Sequence, residues 1–143
     1  MIKNLLCVDD DDIAQFYIHS IIEDTDFIEN NESVYDGQKA IEFIERIIEG
    51  NNLPDIPELI LLDINMPVMD GWEFLQIFSR RFSKQFTDVK IAIVSSSVNP
   101  ADFEKAKEYP FVIDFISKPI TSEILKGIDQ QYFSGAEMSL NNQ

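Results

Sequence analysis

"LILLDINMPVMDG", Leu59 to Gly71, sets the reading of the whole chain. Its first four residues are continuously apolar, so a strand made from them is covered on both faces, as in a parallel sheet between helical layers. Asp63 ends the run and Asn65 follows two residues on. Pro67 and Asp70-Gly71 then make a turn and a helix start. From Trp72 to Phe82 the residues Trp72, Leu75, Phe78 and Phe82 fall in helical step. One unit is therefore a buried strand, an acid at its carboxyl end, a turn and a helix.

The same alternation extends in both directions, although no sequence repeat does. Upstream, Ile2–Val8 reads as a buried strand that ends in four aspartates, Asp9 to Asp12. Ile13, Phe16, Tyr17 and Ile21 then recur at helical spacing and are read as core, with Asp11 or Asp12 placed to cap. Glu32–Tyr35 is a weak second strand. The helix after it opens at Gly37 and Gln38, with Ala40, Ile41, Ile44, Ile47 and Ile48 marking one face. "EGNNLPDIPE", Glu49 to Glu58, is a surface loop rich in Gly, Asn and Pro. Downstream, "KIAIV" (Lys90 to Val94) is another buried strand, closed by Ser95, Ser96 and Ser97. Pro100–Tyr109 is a helix with a thin apolar stripe, anchored by Phe103 and Ala106. "FVIDFIS" gives a fifth strand before Lys118-Pro119, and Thr121 caps a last helix carrying Ile124, Leu125 and Ile128. Five strands interleaved with five helices predict an open α/β sheet, mostly parallel, with helices on both faces.

Length and composition agree with this. A chain of 143 residues, 45% hydrophobic and 26% charged, suits one soluble globular domain. Its 26 acids against 11 Lys and Arg give a formal net charge of -15. Such a field repels a phosphate backbone and argues against nucleic-acid binding. No apolar run reaches the ~20 residues that span a bilayer, and no signal peptide is visible. A cytoplasmic protein without membrane contact is the expectation. The lone cysteine, Cys7, lies inside the first apolar run and reads as a small core residue. His19, mid-helix, reads as a surface residue.

In open α/β sheets function gathers outside the carboxyl ends of the strands. Here those ends deliver Asp9 and Asp10, Asp63 with Asn65, the serines from Ser95, and Lys118. Three converging carboxylates raise the cost of ionising all of them, and a divalent cation relieves it. Ligands that offer only oxygen select a hard ion, and a partly hydrated octahedral site suits Mg²⁺. The cation and the lysine together would offset charge on a transferring phosphoryl group, for which a carboxylate can be the nucleophile. Seen alone, the four aspartates could be only a solvated turn and cap. For Asp11 and Asp12 that remains the reading.

Taken together, "VDDD", "LILLDINMPVMDGWEFL", "IAIVSSS" and "FISKP" resemble the receiver domain of bacterial two-component response regulators. The resemblance implies a flavodoxin-like doubly wound fold, a five-stranded parallel sheet of order 2-1-3-4-5 with five helices. It covers residues 1–133 and leaves a polar tail, 134–143, expected to be disordered. It implies Asp63 as phosphoacceptor. Asp10 would be a direct Mg²⁺ ligand, Asp9 one acting mostly through water, and Asn65 a ligand through its backbone carbonyl. Lys118 would pair with the phosphate and with Asp63, its bond to Pro119 cis. Ser95 would be the switch hydroxyl, with Ser96 in reserve for the register, and Phe115 the aromatic that moves inward with it. The phosphodonor would be a sensor histidine kinase or a histidine phosphotransfer protein, and the downstream target another protein. The chain would be a stand-alone regulator rather than an enzyme, catalysing only its own phosphorylation and dephosphorylation.

The alternatives differ at identifiable residues. A phosphatase of the haloacid-dehalogenase type needs a second acid two residues after the nucleophile, where this chain has Asn65. A receiver-like adaptor that works without phosphorylation would not need the complete set of acids and lysine. A flavin binder would need a phosphate loop rich in Ser, Thr and Gly after the first strand, and the chain has four aspartates there.

Overall fold

The computed structural model describes residues 1–96 and 99–134. Ser97 and residues 135–143 of the polar tail lie outside the described residues. In chain order the elements are β1 (Ile2–Val8), α1 (Asp12–Glu23), β2 (Ile28–Val34), α2 (Gly37–Glu49), β3 (Leu59–Leu62), α3 (Gly71–Arg81), β4 (Lys90–Ser95), α4 (Pro100–Ala106), β5 (Val112–Ser117) and α5 (Ser122–Ile128). The strands form one sheet in the order β2-β1-β3-β4-β5, and every pairing is parallel. This is the open parallel α/β sheet that the alternation predicts, in the flavodoxin-like doubly wound order that the resemblance implies.

Successive side chains of a strand point to opposite faces, so the continuously apolar strands feed two cores. Leu6, Val8, Ile60, Leu62, Ile91 and Ile93 meet Ile41 and Ile44 of α2 and Phe74 and Phe78 of α3. On the other face Leu5, Cys7, Leu61 and Val94 meet Ile18 and Ile22 of α1 and Leu125 and Ile128 of α5. Burial foremost, and then the charge of Asp9, pushes the Cys7 thiol up to about 12. It stays protonated and inert, as a core residue should.

Helix starts follow the sequence closely. Asp11 accepts from the Ile13 N–H, Asp36 from Lys39, Asp70 from Glu73 and Thr121 from Ile124, each satisfying an amide that a helix leaves free. Four expectations need correction. In α1 the buried stripe is Gln15, Ile18 and Ile22, whereas Ile13 and Phe16 are 79% and 77% exposed. The Asp11 cap fixes where the helix begins, and that phase turns Ile13 and Phe16 outward. β2 starts at Ile28, because its hydrogen-bond ladder to β1 defines it and its polar residues do not. α4 stops at Ala106, short of Tyr109, which leaves the helix and packs against the core instead. His19 is half-buried and lies 2.6 Å from the Ser33 hydroxyl on β2.

The loop after α2 forms a short 3-10 turn, Leu53–Asp55. It is pinned to β1 by an Asn4 side-chain bond to the Pro54 carbonyl (3.0 Å) and a Glu58 N–H bond to the Asn4 carbonyl (2.9 Å). The loop after β3 is tighter. Gly71 donates to the Ile64 carbonyl (2.9 Å) and Gly37 to the Met69 carbonyl (3.1 Å). A Cβ at Gly71 would lie 2.6 Å from the Asp63 carbonyl, so only glycine allows α3 to start this close to the strand end.

Between them Val68 takes φ 68° while 80% exposed, the left-handed region that β-branched residues avoid. Backbone strain of this kind gathers near functional sites, and Val68 sits five residues from Asp63. Left-handed geometry costs an L-residue roughly 1–2 kcal/mol, partly offset by glycine's greater freedom in the unfolded chain. Val68→Gly should therefore raise stability by about 0.5–1 kcal/mol in urea unfolding. Lower stability in the variant would mean that no strain is stored there.

Candidate functional site

β1 and β3 are neighbours in register, Val8 opposite Leu62, so the residues that follow them, Asp9 and Asp63, leave the sheet side by side. The Asp63 N–H donates to the Val8 carbonyl (2.9 Å) and extends the ladder one step past β3. Asp9 is held by its N–H to the Val34 carbonyl (3.2 Å), and its Oδ1 accepts the Asp11 N–H (3.0 Å). Carboxylate oxygens of Asp9, Asp10 and Asp63 all lie within 4.8 Å of one another. Asp9 and Asp63 are buried, while Asp10 faces solvent.

Lys118 reaches the same place as the residue next after β5, and its own bond to Pro119 is cis. Its backbone N–H donates to the Ser95 carbonyl (2.8 Å). Its Nζ is 2.7 Å from Asp9 Oδ2 and 3.6 Å from Asp63 Oδ2. One ammonium thus serves two buried carboxylates, and the third acid is left without it.

The consequence appears in the protonation of Asp63. Burial first, then the charge of Asp9, pushes its carboxyl up from 3.8 to about 6, with Asp10 adding to the rise. Lys118 and the Asn65 backbone N–H, which donates to the carboxylate, pull it down without cancelling the rise. Burial likewise works against the Lys118 ammonium, but its hydrogen bond to Asp9 and the charges of Asp63, Asp9 and Asp11 outweigh it. The lysine ends above its ordinary range. A carboxyl that resists ionisation beside two other acids is one whose charged form a cation stabilises. The donor set is oxygen alone, without histidine or cysteine, which matches Mg²⁺.

The other expected residues have definite places. Ser95 ends β4, buried, opposite Ser117 of β5. Ser96, next in sequence, is exposed. Phe115 is half-buried on β5, and its ring stacks on Phe103 of α4 with centroids 4.7 Å apart. Lys105 of the same helix places its ammonium 4.6 Å above the Trp72 ring of α3.

One residue at the site escaped the sequence reading. Gln15 is 2% exposed, and its Nε2 faces three carbonyls, Cys7 (3.3 Å), Asp9 (3.1 Å) and Val34 (3.1 Å). The available signal was its spacing, three and seven residues before Ile18 and Ile22 on the buried stripe of α1.

Among known proteins, the model of the response regulator receiver domain matches residues 5–128. The probable methanogenesis regulatory protein FilR2 of Methanothrix harundinacea is 27% identical over 122 residues, covering 85% of this chain and 76% of that one. A protein-glutamate methylesterase/protein-glutamine glutaminase of Methanococcoides burtonii is 30% identical over 132 residues, which is 92% of this chain but 34% of that protein. The chain thus spans about three quarters of the first relative and a third of the second. In the crystal structure of a two-component response regulator from Cytophaga hutchinsonii, 93% of this chain superposes on 98% of that one, at 32% identity and a TM-score of 0.82.

Proposed function

The chain belongs to the response regulator receiver family, and from that membership we propose that it accepts a phosphoryl group on Asp63 in a Mg²⁺-dependent reaction and signals through protein contacts. Membership sets aside the phosphatase and flavin readings. The observation that carries the proposal is one pocket: three carboxylates within 4.8 Å of one another, with the Lys118 ammonium on two of them.

The donor is a phosphohistidine on a sensor kinase or histidine phosphotransfer protein. An Asp63 carboxylate oxygen forms the new P–O bond as the donor's P–N bond breaks, and the departing imidazole takes a proton from solvent. With its carboxyl near 6, Asp63 is mostly ionised at neutral pH and able to attack. Asp9, Asp10, Asp63 and the Asn65 carbonyl are the residues that would hold Mg²⁺, which when bound supplies positive charge for the phosphoryl oxygens. Lys118 supplies a second positive charge beside Asp9 and Asp63.

Phosphorylation adds charge and three acceptor oxygens at the sheet edge. Ser95 and Lys118 would follow them, with Ser96 in reserve. Phe115, on the strand between those two groups and α4, would carry the change to the α4–β5–α5 surface, where a partner reads it. Every residue that this cycle uses lies within 1–133. The family supports signalling rather than turnover as its role. Among the described residues no helix is long and apolar enough to cross a membrane, which fits a cytoplasmic site of action.

Mg²⁺ with a small acyl phosphate should add one acid-labile phosphate to the protein, and chelating the Mg²⁺ should prevent it. Intact-mass spectrometry reads both. A folded protein whose mass stays unchanged would overturn the proposal in favour of an adaptor that works without phosphorylation.

A further inference from the structure

We infer that Gln15 is a positioning residue for the acidic pocket, its amide fixing the backbone from which Asp9 and Asp10 project. The inference rests on the cation-binding reading of that pocket. The Asp9 peptide sits where β1 leaves the sheet and its carbonyl loses the strand ladder. Gln15 Nε2 donates to that carbonyl (3.1 Å) while also facing those of Cys7 (3.3 Å) and Val34 (3.1 Å). The Val34 carbonyl in turn accepts the Asp9 N–H (3.2 Å). Asp9 is therefore held at both its N–H and its C=O, by the end of β2 and by α1.

Chemistry fixes the orientation of the amide. Turned over, Oε1 would face three carbonyl oxygens and nothing could donate to them. In the orientation present, Oε1 is buried and has no hydrogen-bond partner among the described residues. A buried polar atom without a partner is costly. Methionine or leucine would fill the same buried space without that cost. The side chain is explained by its donors, and all three acceptors belong to the strand ends that shape the pocket.

The need for such a hold follows from the charges. Three acids within 4.8 Å repel, and the simplest relaxation is for the Asp9–Asp10 backbone to turn away from Asp63. Asp10, exposed and untouched by Lys118, is the freest to leave. A clasp on the Asp9 carbonyl opposes that turn and keeps the ligands gathered before any cation arrives. Hydrogen-bonding groups one shell out from a metal commonly govern affinity by roughly tenfold to a hundredfold.

Gln15→Met keeps length and volume while removing the amide. Titration calorimetry with Mg²⁺ on the metal-free protein should show binding weakened about tenfold or more, alongside a lowered melting temperature. Ile22→Ala, on the same buried stripe two turns farther on, should lower the melting temperature comparably and leave the Mg²⁺ affinity unchanged. That contrast separates positioning from general loosening of α1. Should Gln15→Met not fold, Gln15→Asn, one carbon too short to reach all three carbonyls, gives the same comparison. Unchanged affinity in the Gln15 variant, or equal weakening in Ile22→Ala, would overturn the inference and leave the reading of the pocket intact. A wild-type protein that binds no Mg²⁺ would overturn both.

Discussion

Replacing Asp63 with asparagine is expected to abolish incorporation of acid-labile phosphate and, at the same time, to make the metal-free protein more stable at pH 8. The first effect follows from the chemistry, since an amide oxygen is too weak a nucleophile and forms no acyl phosphate. The second follows from the raised carboxyl. A group whose folded value, about 6, lies above its ordinary 3.8 favours the folded state fully below pH 3.8. That support fades as pH rises through 6. At pH 8 the ionised Asp63 is thus a net burden on the metal-free fold, worth roughly 1–2 kcal/mol after allowing for the partner that Lys118 loses. Asparagine has the same shape and no charge. Urea unfolding at pH 8 and pH 4 should show a gain at the first and almost none at the second. Phosphate still arriving at a single site in the variant would move the acceptor elsewhere. A stability change that ignores pH would assign the effect to packing.

Lys118→Met should act in the opposite direction and more strongly. Its ammonium touches Asp9 at 2.7 Å and faces Asp63 at 3.6 Å, and both carboxylates are buried. Removing one partner of a buried ion pair leaves uncompensated charge, which typically costs several kcal/mol; here the lysine is 22% exposed and about 2–4 kcal/mol is expected at pH 8. Lys118 also holds Asp63 down, so in the variant the carboxyl rises beyond 6. The support it lends the fold is then present in acid and lost across a higher pH window. The deficit against wild type should be largest at pH 8 and shrink towards pH 5. Mg²⁺ should restore part of it, because a cation can neutralise the same acids and binds only the folded chain. A deficit equal at both pH values and unmoved by Mg²⁺ would show that Lys118 contributes packing rather than charge.

The residues explain which features could be read without coordinates. Leu59–Asp63 was plain because burial on both faces leaves no polar residue to interrupt the run. The gathering of Asp9, Asp10, Asp63 and Lys118 was equally plain, since parallel strands of one sheet send their carboxyl ends to one edge. The Asp70 and Thr121 caps are local events, and short sequences encode them. β2 was half lost because "IENNESV" is an edge strand whose identity lies in its pairing with β1. In α1 the apolar residues outnumber the positions available in the core, so periodicity alone could not choose between stripes. The choice falls to the Asp11 cap and the angle at which the chain leaves β1. Gln15 was overlooked for a related reason: it fills a core position with a polar side chain, and its partners are backbone carbonyls that no sequence pattern displays. The strain at Val68 is invisible for the same cause, as it belongs to the closure of a loop between Asp63 and Gly71.

The contact between Phe103 and Phe115 has a thermal consequence. Both rings are hydrocarbon, 4.7 Å apart, with Phe103 41% exposed to water. No hydroxyl ties either ring to a carbonyl. Their association draws on the release of water, a driving force that weakens as the solution cools. Cold should therefore loosen the grip of Phe103 on the β5 ring, so the contact that ties α4 to the sheet at this point is expected to weaken as the temperature falls.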